Sequence, residues 1–337
     1  MSARVLERLG EIGALVDPVM EKYLLRGASP EFQDAVLYQV RMGGKRVRPA
    51  LTIASTLAVG GKEENALPAA AAVELAHNYS LILDDIIDHS ELRRGKPTVW
   101  KKYGISTAIL IAVHYRESIT EALNDTPEPP VFHAIMAETI KLLTDGERLD
   151  ILFEQSGRSD EPYVVEQRYR AVRLDDYLRM IERKTAKLIE TSCVFGALSA
   201  GQRGEILEAL REYGYNLGMA FQVGDDIIDI FGEEEKTGKR VGGDIKEHKL
   251  GNVVVLLALE ETRDKERLLA ILRKEDVSWE EVKEAISIIS ETNAREKAEV
   301  LRRDYVSRAL KALEKLPRSE YRDMLEELAV FIEKREF

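Results

Sequence analysis

The pentapeptide Asp-Asp-Ile-Ile-Asp occurs twice, at residues 84–88 and again at 225–229, and no other feature limits the fold as strongly. On an α-helix, Asp84 and Asp88 lie four residues apart on one face, as do Asp225 and Asp229, while the isoleucines turn toward packing. Each copy follows apolar residues (Leu81, Ile82 and Leu83; Phe221 and Val223), so each reads as an acidic patch on an otherwise buried helix. Like charges at that spacing repel, and a carboxylate beside a core run is costly unless a cation neutralises it. A solvated helix end would explain one copy. Two identical copies point to hard divalent cations.

At 337 residues the chain can bury a large core. Aromatic residues make up only 7%, and the abundance of Ala, Leu, Ile, Glu, Arg and Lys favours helix. A net charge of −11 argues against nonspecific nucleic-acid binding, so basic residues matter by where they cluster. The single cysteine, Cys193, excludes an internal disulfide framework and reads as a core residue. With charges where a signal peptide would carry its apolar region, the expected location is the reducing cytosol. The apolar run from Val253 to Leu259 is far short of the ~20 residues that cross a bilayer, so a soluble protein is expected.

Along the chain, residues 3–25 carry apolar positions at helical spacing (Val5, Leu9, Ile12, Leu15, Val16), broken near Pro18. Ser29-Pro30 opens a helix that Gly43-Gly44 ends. Lys45, Arg46 and Arg48 follow that glycine pair just before the next helix, a plausible phosphate site. A long helix from Glu64 to Asp88 is expected, with Pro68 tolerable only in its first turn, Ala69 to Ala72 permitting close packing, and His77 two turns before Asp84. The loop from His89 to Pro97 brings Arg93 and Arg94 behind the acidic patch. Further helices are read over 105–123, 131–155, 174–200 (with Lys184-Thr185 in its middle) and 203–231. The glycine-rich, charged stretch 232–243, with Lys236, Lys239 and Arg240, reads as a flap, and Lys246 and Lys249 add cations beyond it. Asn252 can cap a helix starting at Val253. The rest reads as amphipathic scaffold. Strand signals are nearly absent, so the expectation is an all-α bundle, one domain over 1–337, with the two acidic patches facing across a central cavity.

Two carboxylate pairs imply oxygen-bound divalent ions, and Mg²⁺ prefers to share its shell with substrate phosphates. Lysines and arginines in three separate loops imply more negative charge than one phosphate, which a diphosphate meets. No nucleophile–base arrangement is evident. The remaining chemistry is metal-assisted loss of diphosphate.

With both DDxxD sequences, Gly-Gly-Lys-Arg-x-Arg-Pro at 43–49 and Arg-Arg-Gly at 93–95, the chain resembles the trans-type polyprenyl diphosphate synthases of the isoprenoid synthase fold, over most of residues 40–260. The resemblance implies that Asp84, Asp88 and Asp225 hold three Mg²⁺ ions against an allylic diphosphate, with Asp85 and Asp229 in support. It implies that Arg93, Lys184, Lys239 and Lys249 contact that diphosphate, and that Lys45, Arg48, His77 and Arg94 bind isopentenyl diphosphate. Thr185 and Gln222 match positions that steady the allylic cation, which the isopentenyl double bond attacks. The 232–243 flap would exclude water. A homodimer is also implied.

Tyr79 and Ser80 stand five and four residues ahead of Asp84, about one turn deeper. A bulky Tyr79 beside a small Ser80 resembles family members that stop at geranylgeranyl diphosphate (C20). A farnesyl (C15) or longer product, or a noncatalytic subunit of a heteromeric prenyltransferase, are the alternatives. A class I terpene cyclase is disfavoured by Asp225 to Asp229. Three stretches depart from the family pattern. Val113-His114-Tyr115 replaces a usual Gly-Asp and is expected to reshape the cavity wall, Glu147 stands where Gln is common, and Lys249 to Asn252 lacks the usual threonine.

Overall fold

The computed structural model describes residues 2–233 and 240–335. Lys236 and Lys239 of the expected flap therefore lie outside the described residues. The chain divides into two compact units, one of Met1–Ile140, Leu188–Gly214 and Ala312–Leu328, the other of Lys141–Lys187, Tyr215–Lys311 and Ala329–Phe337.

The first unit opens with α1 (Ser2–Ala14) and α2 (Asp17–Leu25). The break falls at Leu15-Val16, and Pro18 is the second residue of α2, where its missing N–H has no intrahelical partner to lose. Val5, Leu9, Val16 and Met20 are buried, while Leu15 is exposed. Next come α3 (Pro30–Arg41), α4 (Val47–Ala58) and α5 (Glu63–Ile87). Ala66 and Ala69 to Ala72 of α5 are fully buried, so their small side chains let α4 and α7 (Ile105–Asn124) pack closely on it. Pro68 is not in the first turn as expected. It is the sixth residue of α5, so the Glu64 carbonyl gets no bond from it, and the buried alanines hold the helix together around it.

The all-α expectation holds, with one short ribbon in which Leu92–Arg93 (β1) and Lys96–Pro97 (β2) pair antiparallel. Arg94 (φ 53°) and Gly95 (φ 73°) make the turn between them, and two left-handed residues are what a tight hairpin requires. After α6 (Val99–Tyr103), α7 exposes Ile105, Ile109, Leu110 and Val113, one apolar stripe at helical spacing.

The continuous helix expected over 174–200 is interrupted. Following α8 (Pro129–Phe153) and α9 (Pro162–Gln167), α10 (Leu174–Ile181) passes into a π-helical turn at Glu182–Ala186 before α11 (Lys187–Ser199). Two glycine backbones pack closely against this turn. A Cβ on Gly146 of α8 would lie 2.3 Å from the Lys184 nitrogen, and one on Gly218 of α12 (Gly204–Phe231) would lie 2.5 Å from Ala186 Cα. Such a bulge re-aims the side chains it carries, here Lys184 and Thr185. A short α13 (Gly243–Lys246) precedes α14 (Val253–Glu261), which Asn252 caps as expected by accepting the N–H groups of Val254 at 2.9 Å and Val255 at 3.3 Å. Helices α15 (Lys265–Leu272), α16 (Trp279–Ser290), α17 (Ala294–Leu313) and α18 (Glu320–Lys334) complete the chain. Among the described residues no helix is long and apolar enough to cross a membrane.

Candidate active site

In the first unit, Asp84 and Asp88 occupy the C-terminal turn of α5, Asp84 half-buried and Asp88 exposed as the cap. The negative end of the α5 dipole lies at that terminus, so a cation is favoured there. Asp85 faces the other way, is 1% exposed, and is held by Arg93, whose Nε lies 3.0 Å from both carboxylate oxygens and whose Nη2 lies 2.8 Å from Oδ1. Burial raises the Asp85 pKa and the Arg93 guanidinium opposes it.

The two basic turns meet upstream of the acidic patch. Arg48 Nη1 donates to His77 Nε2 at 3.2 Å. Burial, then the charges of Arg48, Arg94, Arg93 and Arg46, push His77 well below the usual histidine range, so its imidazole is neutral. The guanidinium of Arg94 passes within 3.0 Å of where a Gly44 Cβ would stand, so the second glycine of the pair makes room for it. Lys45 is exposed beside them.

Arg46, read from sequence as a third phosphate ligand, is instead spent inside. It sits at φ 48°, 7% exposed, and donates to Glu74 at 2.8 Å, Asp17 at 2.9 Å and the Val40 carbonyl at 2.8 Å. A buried guanidinium needs these partners, and they turn it away from its neighbours. The Val113-His114-Tyr115 stretch, expected to reshape the cavity wall, has its ring side chains in backbone hydrogen bonds. Val113 is 55% exposed, His114 Nε2 bonds the Leu24 carbonyl at 2.7 Å, and the Tyr115 hydroxyl donates to the Val36 carbonyl at 2.7 Å, so the two ring side chains tie α7 to α2 and α3. Tyr79 and Ser80 are half-buried on α5, with the Ser80 hydroxyl donating to the His77 carbonyl at 2.9 Å.

In the second unit, Asp225 Oδ1 accepts from Arg335 at 2.7 Å, and that guanidinium lies 4.9 Å over the Phe221 ring. Thr185 donates to Gln222 Oε1 at 2.8 Å, and Gln222 Nε2 donates to Asp226 at 3.0 Å, so the two residues expected to steady a cation are neighbours. Asp229 accepts the backbone N–H groups of Gly243 at 3.1 Å and Asp244 at 3.2 Å. Burial and the charge of Asp244 push its pKa up to about 7. Asn252 Nδ2 donates to Asp244 at 2.8 Å, a second task for the residue that caps α14.

Lys184 lies 2.7 Å from Glu147 and 2.6 Å from Asp150 of α8. Lys249 lies 2.9 Å from Glu247 and 3.6 Å from Asp150. Burial would raise Asp150, but Lys184 and Lys249 hold it well below the usual carboxylate range. Lys246, expected beside them, turns instead to Asp276 and the Val277 carbonyl. Sequence reading overlooked Asp226, Asp244 and Arg335, and left Glu147 without a task. Asp226 belongs to the second pentapeptide, a usable signal; Asp244, beyond the glycine-rich stretch, and Arg335 carry none.

Among the described residues no three His, Cys, Asp or Glu side chains form a ready-made metal cage. The donors available are carboxylate oxygens alone, which suit a hard cation that keeps waters and completes its shell with phosphate oxygens.

A family model described as Polyprenyl synthetase matches residues 29–289. The chain belongs to the polyprenyl synthetase family. Within it, the short chain isoprenyl diphosphate synthase of Methanocaldococcus jannaschii is 39% identical over 252 residues, covering 73% of this chain and 72% of the relative. Heptaprenyl diphosphate synthase component 2 of Geobacillus stearothermophilus is 35% identical over 323 residues, covering 94% and 95%. Among solved structures, the geranylgeranyl pyrophosphate synthetase of Pyrococcus horikoshii superposes with a TM-score of 0.88 at 33% identity over 99% of both chains. The polyprenyl synthase of Caulobacter crescentus, complexed with calcium and isoprenyl diphosphate, gives 0.86 at 28% identity, covering 100% of this chain and 98% of that one. The fold is that of the isoprenoid synthases, and the chain is a trans-type polyprenyl diphosphate synthase, a prenyltransferase of isoprenoid biosynthesis.

Proposed function

We propose that this synthase condenses isopentenyl diphosphate with an allylic diphosphate, head to tail, and stops at geranylgeranyl diphosphate. The observation that carries the reading is on α5. One helix presents His77, packed with Arg48 and beside Arg94, seven residues before Asp84, or ~10 Å along the axis. An anion-binding cluster and a cation-binding patch on one rigid element suit two diphosphates at a fixed separation.

Arg48, Arg94 and Lys45 bind the isopentenyl diphosphate, and the neutral His77 orients Arg48 by accepting its N–H. Asp84, Asp88 and Asp225 are the residues that would hold divalent ions, three Mg²⁺ in this reading, with Asp85 and Asp229 fixing the neighbouring backbone and Arg93. The calcium in the C. crescentus structure supports a divalent requirement. When bound, such ions supply Lewis-acid stabilisation of charge growing on the leaving diphosphate. Arg93, Lys184, Lys239 and Lys249 hold the allylic diphosphate. Because Thr185 spends its proton on Gln222, its oxygen lone pairs are left as an electron-rich face for an allylic cation. Tyr79 limits the tail, and similarity to the P. horikoshii protein supports C20.

The whole chain, residues 1–337, is read as one catalytic unit of the cytosol that pairs as a homodimer, and the exposed stripe Ile105, Ile109, Leu110 and Val113 supports a partner for α7. The test is incubation of purified protein with Mg²⁺, isopentenyl diphosphate and dimethylallyl, geranyl or farnesyl diphosphate in turn, reading products by mass. The expected end product is C20. Longer products would overturn the chain length alone. No product from any primer would overturn the catalytic reading in favour of a subunit that needs a second component, as the name of the G. stearothermophilus relative suggests for that protein.

A further inference from the structure

Lys184 is restrained at both its backbone and its ammonium. Its backbone nitrogen faces Gly146 so closely that a Cβ there would stand 2.3 Å away. Its ammonium is gripped by two carboxylates one helical turn apart on α8, Glu147 Oε2 at 2.7 Å and Asp150 Oδ2 at 2.6 Å. Asp150 also serves Lys249, which has Glu247 as well. Among the ion pairs of the described residues, these two ammonium groups face three carboxylates where an anion is to bind. Glu147 is the surplus member, since Asp150 already bridges both lysines. Its second oxygen, Oε1, is buried with no hydrogen-bond partner among the described residues, a costly arrangement for a carboxylate whose one ion pair could be replaced.

We propose that Glu147 is a positioning residue that sets the affinity for the allylic diphosphate, by holding the Lys184 ammonium back against α8 and opposing the charge of the incoming anion. Binding then requires Lys184 to exchange a carboxylate for a phosphate oxygen, and release of the product diphosphate is assisted when Glu147 takes the ammonium back. The inference rests on the assignment of Lys184 to that diphosphate. Restraint of this kind favours turnover over tight binding, because tight ground-state binding of a charged leaving group slows the cycle.

The experiment is calorimetric titration of the full-length wild type, Glu147→Gln and Glu147→Asp with pyrophosphate in the presence of Mg²⁺, with steady-state kinetics on the allylic substrate and thermal melts alongside. Loss of one unit charge in contact with Lys184 is expected to tighten pyrophosphate binding about tenfold in Glu147→Gln. The allylic KM should fall in step while kcat is unchanged or lower, and the gain should shrink in high salt. Glu147→Asp, which keeps the charge, should stay near wild type. A Glu147→Gln protein with lowered melting temperature and unchanged or weaker affinity would overturn the inference and leave Glu147 a structural brace. Absence of Mg²⁺-dependent pyrophosphate binding in the wild type would overturn the diphosphate assignment itself, and this inference with it.

Discussion

Replacing Gly146 with alanine probes the close contact between α8 and the π-helical turn. The added carbon would lie 2.3 Å from the Lys184 nitrogen, 2.7 Å from Lys184 Cα and 2.8 Å from the Arg183 carbonyl carbon. Heavy-atom contacts relax near ~3.5 Å, so α8 and the turn must separate by about 1 Å, and backbone atoms have no rotamer by which to turn aside. Overpacking of this kind costs about 1–3 kcal/mol, while alanine regains ~1 kcal/mol over glycine in helix propensity. The net loss of stability is thus modest, ~0–2 kcal/mol. The kinetic effect should be larger. A shift of ~1 Å carries Lys184 and Thr185 off position, and such misplacement can lower kcat/KM by ~10²-fold. Guanidinium unfolding and steady-state kinetics on one preparation measure both. Gly10→Ala in α1, where a Cβ meets nothing within 4 Å, is the control, expected to gain up to ~1 kcal/mol with unchanged kinetics. A Gly146→Ala enzyme that gains stability like the control and keeps its kcat/KM would refute the reasoning.

Asp84→Ala or Asp225→Ala should each remove most turnover, several kcal/mol of barrier stabilisation, and near-normal rates at saturating Mg²⁺ would exclude their metal role. Tyr79→Ala should lengthen the product; an unchanged product ladder by mass spectrometry would rule out Tyr79 as the limit. The folded state keeps His77 neutral while the unfolded chain protonates it near pH ~6.5. Wild-type stability should therefore fall as pH drops below that value, by up to ~1.4 kcal/mol per pH unit. His77→Gln should lack this contribution, and equal slopes of stability between pH 7 and pH 5 for the two proteins would contradict it.

Much of the candidate site could be read from residue spacing. Asp84 and Asp88, the Gly43-Gly44 turn and Arg94 are local features whose meaning follows from helix periodicity and from what a glycine permits. The helix cap at Asn252 was likewise legible, because a cap is decided within four residues. The fate of Arg46 was not. Nothing local distinguishes it from Lys45 and Arg48; Glu74 and Asp17, 28 and 29 residues away, decide that it points inward. The π-helical turn was not legible in the same way, since the apolar pattern of residues 174–200 is continuous and the glycines packed against the turn belong to other helices. The hydrogen bond of His114 to the Leu24 carbonyl, 90 residues away, is likewise set by tertiary packing.

The sequence by itself determined the helical class, the chemistry of the donors and the identity of the two acidic patches, because periodicity, charge and donor type are properties of short stretches. Only the tertiary structure decided which charges are available. Asp85 is taken by Arg93, Asp225 by Arg335, Asp229 by the Gly243 and Asp244 amides, and Lys184 by Glu147 and Asp150. A buried or half-buried charge must find an opposite charge or a hydrogen-bond partner, and which partner it finds depends on helices brought together from distant parts of the chain.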